Sequence, residues 1–415
     1  MAHETHDVVV VGAGLAGLAC AAALEAFDVV VLEAGDAVGG RVRTDHVDGY
    51  TLDRGFQVLN TGYPALRGRV DLDALDLRAF DPAVALHLDG QRHTLGNPLQ
   101  RPSTLRGALG LPVGGLRGKA ALAAYAGACL ALPASRLLAR DDVSSAQAWD
   151  GAHVPDAVAE RVLRTFFSGV LLEREMTTTR RFTDLMMKMF VVGASTVPSR
   201  GMQALPEQLA AHLPPGVLRL GTAARSVTAT RVETDDGTLH ARAVVVATDA
   251  WDGGGLVAGL RTPPARGVTT VYHSAPDFPT ASSMLLLDAD DSPVANTIAI
   301  SRAAPEYAPP GRVLVSTSLV HPHGVDPDGA EVRGVLSRLH GTGTDSWDVV
   351  ATYDLPHALP GMPAPHPFSR PVRVAAAEGD VFVAGDHRTT SSIQGALVSG
   401  SRAAEAVIDQ LEDDS

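Results

Sequence analysis

The chain has 415 residues with a formal net charge of −13, and 45% of its residues are hydrophobic. This length is enough for two or three domain equivalents with a buried core, so a globular protein is expected. The acidic balance and the lack of a basic stripe argue against nucleic acid as a partner. The two cysteines, Cys20 and Cys129, lie far apart in apolar surroundings, so neither disulfides nor metal ligands are predicted.

The first pattern in the chain is a β-α-β unit within 33 residues. An apolar run from Val8 to Val11 leads into a glycine-rich turn and an Ala-rich helix, and a second apolar run ends on Glu33. The acidic residue follows the glycines by about 20 residues, a spacing that places a carboxylate on a dinucleotide ribose. The predicted cofactor contacts here are Gly12, Ala13, Gly14, Leu15, Ala16, Gly17, Glu33 and Ala34.

Each glycine of the turn has its own physical reason. Gly12 is expected to make the tight turn, Gly14 to let the backbone approach a pyrophosphate, and Gly17 to let the helix pack closely on the strands. The phosphates are then expected at the N-terminus of the helix, where free N–H groups point outward. A glycine-rich turn without a ligand is the alternative interpretation.

A glycine pair followed by an arginine comes just after the second strand. Gly39 and Gly40 keep the backbone clear, and Arg41 can bring a cationic fork onto the pyrophosphate. This segment resembles the superfamily of flavin-containing amine oxidases, protoporphyrinogen oxidases and phytoene desaturases. The resemblance implies FAD and an α/β fold, in which a discontinuous Rossmann-like FAD-binding domain accompanies an α+β substrate domain with an antiparallel sheet.

The resemblance recurs near the end of the chain. The segment from Asp380 to Asp386 resembles the superfamily's last strand, in which Gly385 precedes an acid that holds the ribityl chain. The next segment resembles the helix start beneath the isoalloxazine ring, where Ile393 would offer its backbone N–H to the ring's O2 edge. An ordinary strand-Gly-Asp-helix connection is the alternative. Because no cysteine follows Cys129, FAD is expected to be held without a covalent bond.

The resemblance also divides the chain. The FAD-binding domain is predicted over 1–70, 198–255 and 371–415, and the substrate-binding domain over 71–197 and 256–370. In relatives the position of Val227 gives its backbone to the adenine, and Thr248 follows a predicted strand and is expected to contact the cofactor. The substrate domain is predicted to be helical from about Leu105 to Met189 and sheet-like from about Gly267 to Thr352, with Pro356 to Pro371 as an irregular crossing.

Candidate residues beside the flavin ring come from position rather than from a catalytic signature. The predicted ring neighbours are Gly55, Phe56, Gln57 and Val58. Gln57 and His387 are the candidate catalytic residues, since histidine titrates near neutrality and can act as an acid or base. The alternatives are that Phe56 only packs the sheet and that His387 is a hydrogen-bonded loop residue.

Two further residue patterns are interpreted as structural. Lys188 is expected to pair with Asp184 one helical turn earlier. His321 and His323 lack a carboxylate or cysteine cluster beside them, so no metal is predicted there.

The substrate is inferred from departures within the superfamily. Relatives that oxidise amines usually carry a lysine in the second half of the chain and an aromatic pair, but here no lysine follows Lys188 and the C-terminal flavin segment has no Tyr or Trp. The segments 168–179 and 353–360 resemble protoporphyrinogen oxidases instead. We therefore expect a dehydrogenase or desaturase that moves a hydride from an apolar isoprenoid, polyene or tetrapyrrole-like substrate to flavin N5.

Two alternatives stay open at this point. One is an amine or amino-acid oxidase with an atypical pocket, and the other is a non-redox isomerase or binding protein that carries FAD. The electron acceptor is expected to be oxygen, a quinone or another acceptor.

The location in the cell is predicted from what precedes the first strand and from the apolar runs. A strand start at about Asp7 leaves no room for a signal peptide, and no run reaches the roughly 18–20 residues of a membrane span, so a cytoplasmic protein is expected. The most apolar stretch, Ala120 to Leu132, is interpreted as a buried helix. A membrane-surface face, giving peripheral membrane contact, is the alternative.

Overall fold

The computed structural model describes residues 3–96, 101–276, 278–290, 292–376 and 378–413. Its helices, in chain order, are α1 (Leu15–Ala23), α2 (Ser103–Leu109), α3 (Gly115–Ala131), α4 (Ala134–Leu138), α5 (Ser145–Gly151), α6 (Asp156–Val158), α7 (Thr165–Leu171), α8 (Arg180–Val192), α9 (Ala204–Ala211), α10 (Ala250–Leu256), α11 (Ala330–His340) and α12 (Ile393–Asp413). A π-helical segment (Ala159–Arg164) joins α6 to α7.

The strands, in chain order, are β1 (His3–Val11), β2 (Val29–Leu32), β3 (Thr44–Val47), β4 (Tyr50–Asp53), β5 (Leu59–Asn60), β6 (Leu77–Ala79), β7 (Ala83–Leu88), β8 (Gln91–Gly96), β9 (Ser195–Pro198), β10 (Leu218–Arg219), β11 (Ala224–Val227), β12 (Arg231–Thr234), β13 (Gly237–Val246), β14 (Ala265–Ala275), β15 (Leu285–Asp288), β16 (Val294–Ile298), β17 (Val313–Val320), β18 (Asp348–Pro360), β19 (Arg373–Ala376) and β20 (Gly379–Val383).

A mainly parallel sheet forms one half of the fold. Its order is β10-β2-β1-β13, and both β20 and the β12-β11 pair lie beside β13. Because β1, β2, β13 and β20 run parallel, their carboxyl ends meet at one edge. The residues just after those ends, Gly12, Glu33, Thr248 and Gly385, therefore come together although they are far apart in sequence.

The valines of β1 explain why this strand is central. Val8 and Val10 belong to an apolar core shared with α1 and α12, whereas Val9 and Val11 belong to a second core on the other face. Both faces of the strand are thus buried, as is typical of parallel sheets covered on both sides.

A seven-stranded sheet forms the second half, in the order β18-β14-β17-β16-β15-β7-β8. All neighbours in it are antiparallel except β15 and β7. One of its faces is covered by α11, whose Val332 and Leu336 pack with Trp347. The α/β fold with an antiparallel sheet is confirmed, whereas the boundaries between the two domains stay a prediction.

The proline-rich stretch 356–371 was expected to be irregular, and for its first residues this is wrong. Strand β18 continues to Pro360, because Pro360 and Leu359 pair with Ala265 and Arg266 at the start of β14. Pairing with an adjacent long strand outweighs the low strand preference of proline at a strand end.

The helices α3 and α5 to α8 pack around an apolar core that contains Trp149, Phe167 and Phe182. The most apolar stretch of the sequence, Ala120 to Leu132, is helical up to Ala131, but the expectation of a buried helix is wrong for most of it, since only Tyr125 and Cys129 in this stretch are buried. No helix in the described ranges is long and apolar enough to cross a membrane. The leucines Leu109 and Leu116 nearby are exposed, and membrane contact stays a prediction.

The expected pair between Lys188 and Asp184 is wrong. The Lys188 Nζ atom donates to the carbonyl oxygens of Leu130 and Leu132, at 2.7 and 2.9 Å. These carbonyls end α3, where unpaired C=O groups attract a cation. The Asp184 carboxylate is instead fully buried and accepts from Tyr125, Arg140 and Arg180.

Candidate functional site

A cavity of about 1890 Å³ starts at the carboxyl edge of the parallel sheet and reaches the helices α3, α7 and α8. We call its two parts the sheet-edge end, lined by Gly12, Gly14, Glu33, Thr248 and Gly385, and the helical end, lined by Leu122, Ala126, Phe166, Met186 and Phe190. Pockets for one drug-sized ligand measure about 300–1,000 Å³. The cavity therefore has room for a large ligand and a second molecule.

Most of the residues predicted to contact a cofactor line this cavity. They are Gly12, Gly14, Leu15, Ala16, Glu33, Ala34, Gly39, Gly40, Arg41, Gly55, Phe56, Gln57, Val58, Thr248, Gly385, Asp386 and Ile393. The remaining predicted residues, Ala13, Gly17, Val227 and His387, do not line it. Parallel strand ends, rather than sequence proximity, bring the lining residues together.

The glycines of the first turn are packed against backbone. Gly12 has φ +106°, and a Cβ atom on it would lie 2.9 Å from the Ala247 carbonyl oxygen. A Cβ atom on Gly17 would lie 1.9 Å from the Gly12 carbonyl oxygen, so Gly17 acts behind the cavity wall by letting α1 approach the turn. Only residues without a side chain fit at these two positions.

The N-terminus of α1 opens on the cavity. Gly14 is its N-cap and brings no side-chain hydrogen bond to the first turn, and Leu15 and Ala16 line the cavity. Gly14 and Gly39 form an isolated bridge, which places two glycine-rich backbones side by side. The free N–H groups and the dipole of a nine-residue helix therefore face the sheet-edge end, where an anionic group is stabilised.

Glu33 is fixed at the end of β2. Its Oε2 atom accepts a hydrogen bond from the Ala13 backbone N–H, and its Oε1 atom accepts one from the Gly35 N–H, both at 2.8 Å. The carboxylate thus lies beside the glycine turn. This contact gives Ala13 a supporting position, since its N–H orients Glu33 although Ala13 lies off the cavity surface.

An ion pair joins two separate parts of the cavity wall. The Arg41 guanidinium donates to Asp386 Oδ1 at 2.6 Å and to the Ala358 carbonyl oxygen at 2.9 Å. Burial lowers the pKa of Arg41, but the charge and hydrogen bond of Asp386 outweigh this effect and raise the pKa overall. Arg41 therefore remains a fixed cation at the cavity wall, linked to the last strand of the sheet.

Gln57 lines the cavity with its amide already engaged. Its Nε2 atom donates to the carbonyl oxygens of Arg41 and Arg54, at 2.9 and 3.0 Å. Neighbouring Phe56 packs on Phe80, with ring centroids 6.0 Å apart. The side chain of Gln57 therefore stabilises the loop beside the cavity.

His387 is buried, and neither ring nitrogen has a hydrogen-bond partner within the described residues. Burial lowers the pKa of His387 to about 4, with Arg388 lowering it further and Asp386 opposing. The imidazole is thus neutral near pH 7. His387 does not line the cavity, although its neighbours Gly385 and Asp386 do, and its candidate catalytic role stays a prediction.

The helical end is lined mainly by apolar side chains from separate elements. They include Leu122, Ala126, Leu130, Val162, Phe166, Val170, Phe182, Met186, Met187 and Phe190, with Leu285, Leu287 and Ile298 from the seven-stranded sheet. Burial raises the pKa of Tyr63, another lining residue, to about 12, so its hydroxyl stays protonated. An apolar ligand is the kind that this surface accommodates.

Several lining residues were missed from the sequence. Trp251 and His357 stack at 4.4 Å between ring centroids, with an angle of 7° between the rings, and both line the cavity. Asn296 and Ser318 line it from the seven-stranded sheet. Trp251 follows β13 closely, so its position after a predicted parallel strand could have indicated it from the sequence. His357, Asn296 and Ser318 reach the cavity through strand pairing, which no local sequence pattern indicates.

The sheet-edge end has the chemistry that a dinucleotide requires. A helix N-terminus and the fixed Arg41 cation suit a pyrophosphate, Glu33 suits a ribose, and the glycine backbones leave room for close approach. The fold and this site together define a dinucleotide-dependent oxidoreductase whose cavity continues into an apolar end.

The comparisons with known proteins identify the class. The sequence model of the family described as flavin containing amine oxidoreductase matches residues 15–408. A putrescine oxidase from Kocuria rosea is 32% identical over 241 residues, which are 53% of this chain and 49% of that protein. The match therefore spans about half the length of that relative.

Solved structures show the same fold. The structure of a protein from Exiguobacterium, assigned by its name to the protoporphyrinogen oxidases, covers 99% of this chain and 100% of its own, with a TM-score of 0.74 and 18% identity. A putrescine oxidase bound to putrescine covers 98% and 100%, with a TM-score of 0.69 and 18% identity. The chain belongs to the flavin-containing amine oxidoreductase family and is an FAD-dependent oxidoreductase.

Proposed function

We propose that this protein is an FAD-dependent dehydrogenase or desaturase that acts on an apolar substrate of the isoprenoid, polyene or tetrapyrrole-like class. The observation that carries the proposal is the continuity of the cavity: its sheet-edge end suits the cofactor, and its helical end is apolar. A substrate bound in the helical end would meet the cofactor where the two ends join, near Gly55 to Val58.

FAD supplies a hydride acceptor at flavin N5 when it is bound. The chain's own residues would hold it as follows: the first turn of α1 and Arg41 at the pyrophosphate, Glu33 at the ribose, and Asp386 and Ile393 at the ribityl chain and ring. No cysteine lines the cavity in the described residues, which supports a non-covalent cofactor. The apolar wall would exclude water and orient the substrate C–H bond.

The charge of the cavity supports an apolar substrate over a diamine. Its acidic lining residues within the described part are Glu33, Asp81, Asp249, Asp252 and Asp386. Glu33 and Asp386 belong to the sheet-edge end, and Asp249 and Asp252 follow β13. The Asp81 carboxylate already accepts hydrogen bonds from Ser282 Oγ and the Ser283 N–H, at 2.6 and 3.1 Å. The helical end thus offers little to an ammonium group, which requires compensating charge when it is buried.

An amine or amino-acid oxidase is the second candidate. Its support is the 32% identity to a putrescine oxidase and the aromatic pair Phe56 and Phe80 on the cavity wall. A neutral amine flanked by these rings would need no carboxylate. The electron acceptor, either oxygen, a quinone or another acceptor, would follow from the same experiment as the substrate.

The deciding experiment is an anaerobic titration of the purified, flavin-loaded protein, followed by the visible flavin band. Amines form one panel, and polyenes, prenyl compounds and porphyrinogens form another. We expect bleaching by the apolar panel alone. Bleaching by an amine would replace the proposal with the second candidate, and a flavin that nothing in either panel reduces would contradict both. Reoxidation of the bleached protein with oxygen or a quinone then identifies the acceptor.

A further inference from the structure

A row of three polar side chains crosses the cavity face of the seven-stranded sheet. Thr270 on β14 is directly opposite Ser318 on β17, and Ser318 is directly opposite Asn296 on β16. Residues that face each other on adjacent strands project from the same side of a sheet. Asn296 and Ser318 line the cavity, and their cross-strand partner Thr270 extends the row.

The row is buried and only partly satisfied. The exposed fractions of Asn296, Ser318 and Thr270 are 4%, 3% and 0%. Neither Asn296 Oδ1 nor Thr270 Oγ1 has a hydrogen-bond partner within the described residues. Buried amide and hydroxyl groups are nearly always paired, because an unpaired one loses its hydration without compensation. Apolar side chains of similar size would avoid this loss.

The residues around the row are mainly apolar. On the same sheet the cavity is lined by Val268, Leu285, Leu287, Ile298 and Leu355, among others, and His357 is the other polar lining residue among those described. The two unpaired atoms, Asn296 Oδ1 and Thr270 Oγ1, have no charged partner in the described ranges. The row is therefore a neutral polar stripe in an apolar pocket.

The Asn296 end of the row lines the cavity, and the Thr270 end is buried beside Gly55, which also lines it. A Cβ atom built on Gly55 would lie 4.0 Å from Thr270 Oγ1, and one built on Gly169 would lie 2.3 Å from Asn296 Nδ2. Gly55 is a predicted neighbour of the flavin ring, and Gly169 belongs to α7 at the helical end. The row thus runs from the ring's predicted position toward the deep pocket.

We propose that Asn296 and Ser318 bind an uncharged oxygen substituent, a hydroxyl or a carbonyl, on an otherwise apolar substrate, and that Thr270 is their buried cross-strand neighbour in the row. Amide and hydroxyl side chains can both donate and accept, which suits either group. The contact fixes which carbon of a long apolar molecule lies beside the ring. This inference rests on the proposed function and specifies its substrate class.

The test compares two ligands that differ in one group: a prenyl alcohol and the prenyl hydrocarbon of the same chain length. Their dissociation constants are measured on the flavin-loaded protein by perturbation of the flavin's visible spectrum. We expect the alcohol to bind about tenfold more tightly, and the preference to fall to within about twofold in Asn296→Leu. Ser318→Ala should also reduce the preference for the alcohol over the hydrocarbon, and this variant tests the inference if Asn296→Leu does not fold.

Leu287→Met is the matched control, because Leu287 lines the same cavity from the next strand without a polar group. It should leave the preference for the alcohol unchanged. Asn296→Leu should also keep or raise the melting temperature, since it removes an unpaired buried amide. Equal binding of the two ligands to the wild type, or a preference that survives both substitutions, overturns the inference alone. Binding of neither ligand overturns the proposed apolar substrate class and the inference with it.

Discussion

At the sheet-edge end of the cavity the contacts come largely from backbone, whereas at the helical end they come from side chains. Gly12, Gly14, Gly39 and Gly40 line the first end, and Gly12, Gly39 and Gly40 have positive φ angles that side chains rarely adopt. Phe166, Met186 and Phe190 line the second end from two separate helices. The chemistry at the first end is therefore restricted to one kind of ligand, while the second can be remodelled by substitution without loss of the fold.

Among substitutions that test the difference between the two ends, Gly17→Ala should have the largest effect on stability and flavin binding. Its Cβ atom would lie 1.9 Å from the Gly12 carbonyl oxygen, so the turn or α1 must move. We expect a loss of more than about 4 kcal/mol in the free energy of unfolding and no bound flavin after purification. Thermal unfolding and the visible absorbance band measure both.

The matched control for this substitution is Gly334→Ala. Gly334 is exposed within α11, and a Cβ atom there would meet no heavy atom within 4 Å. This variant should gain about 0.5–1 kcal/mol from helix propensity. A Gly17→Ala protein that keeps both its flavin and its stability would show that the sheet-edge end is less constrained than the geometry implies.

The next effect concerns the ion pair between the two halves of the sheet-edge end. Arg41→Met leaves Asp386 unpaired at 5% exposure, which should cost about 3 kcal/mol; this is the low end of the usual range because Arg41 is 34% exposed. The flavin content should fall as well. Adding Asp386→Asn should restore part of the free energy of unfolding but not the bound flavin. A double-mutant cycle of the two substitutions measures the coupling energy between Arg41 and Asp386. Fully additive losses would mean that the pair is not coupled.

A third prediction uses three buried histidines that do not line the cavity. Burial lowers the pKa of His340 to about 3 and the pKa values of His366 and His387 to about 4. Since these pKa values lie below the unfolded value of about 6.5, the unfolded chain binds more protons between pH 6.5 and 4. The contribution of these histidines to the free energy of unfolding should therefore be complete above pH 6.5 and be lost as the pH is lowered toward 4.

The variant His387→Leu tests this linkage, because neither ring nitrogen of His387 makes a hydrogen bond that would be lost. Unfolding free energies measured at pH 7 and pH 4.5 should differ by about 2 kcal/mol less in the variant than in the wild type. Identical pH dependence in the two proteins would rule out His387 as a contributor.

The smallest effect is expected at the helical end. Phe190 packs edge-on against Phe166, with centroids 5.2 Å apart, and both line the cavity. Phe190→Leu should cost about 1 kcal/mol and weaken binding of apolar ligands about fivefold, with the flavin content unchanged. Phe278→Leu removes a ring from the opposite side of the seven-stranded sheet and should leave ligand binding unaffected. Loss of flavin in Phe190→Leu would contradict the independence of the two ends.

Much of the fold could be predicted from local patterns. The range predicted to be sheet-like, from about Gly267 to Thr352, contains β15, β16, β17 and most of β14, but α11 also lies within it. The prediction of an irregular stretch over 356–371 is wrong only for its first residues, where pairing with β14 extends β18. The prediction that Lys188 pairs with Asp184 is also wrong because of a contact with a distant segment. Helical spacing made the pair possible, but the end of α3 offered Lys188 two carbonyl oxygens.

The sequence by itself determined the family, the FAD cofactor and the sheet-edge lining, because a glycine turn, an acid and a helix start act over a few neighbouring residues. The tertiary structure decided which side chains face the helical end. Asn296 and Ser318 come to the cavity through the register of β16 and β17. It also decided that His387 is buried away from the cavity. Register and burial depend on packing between distant segments, and no local pattern encodes them.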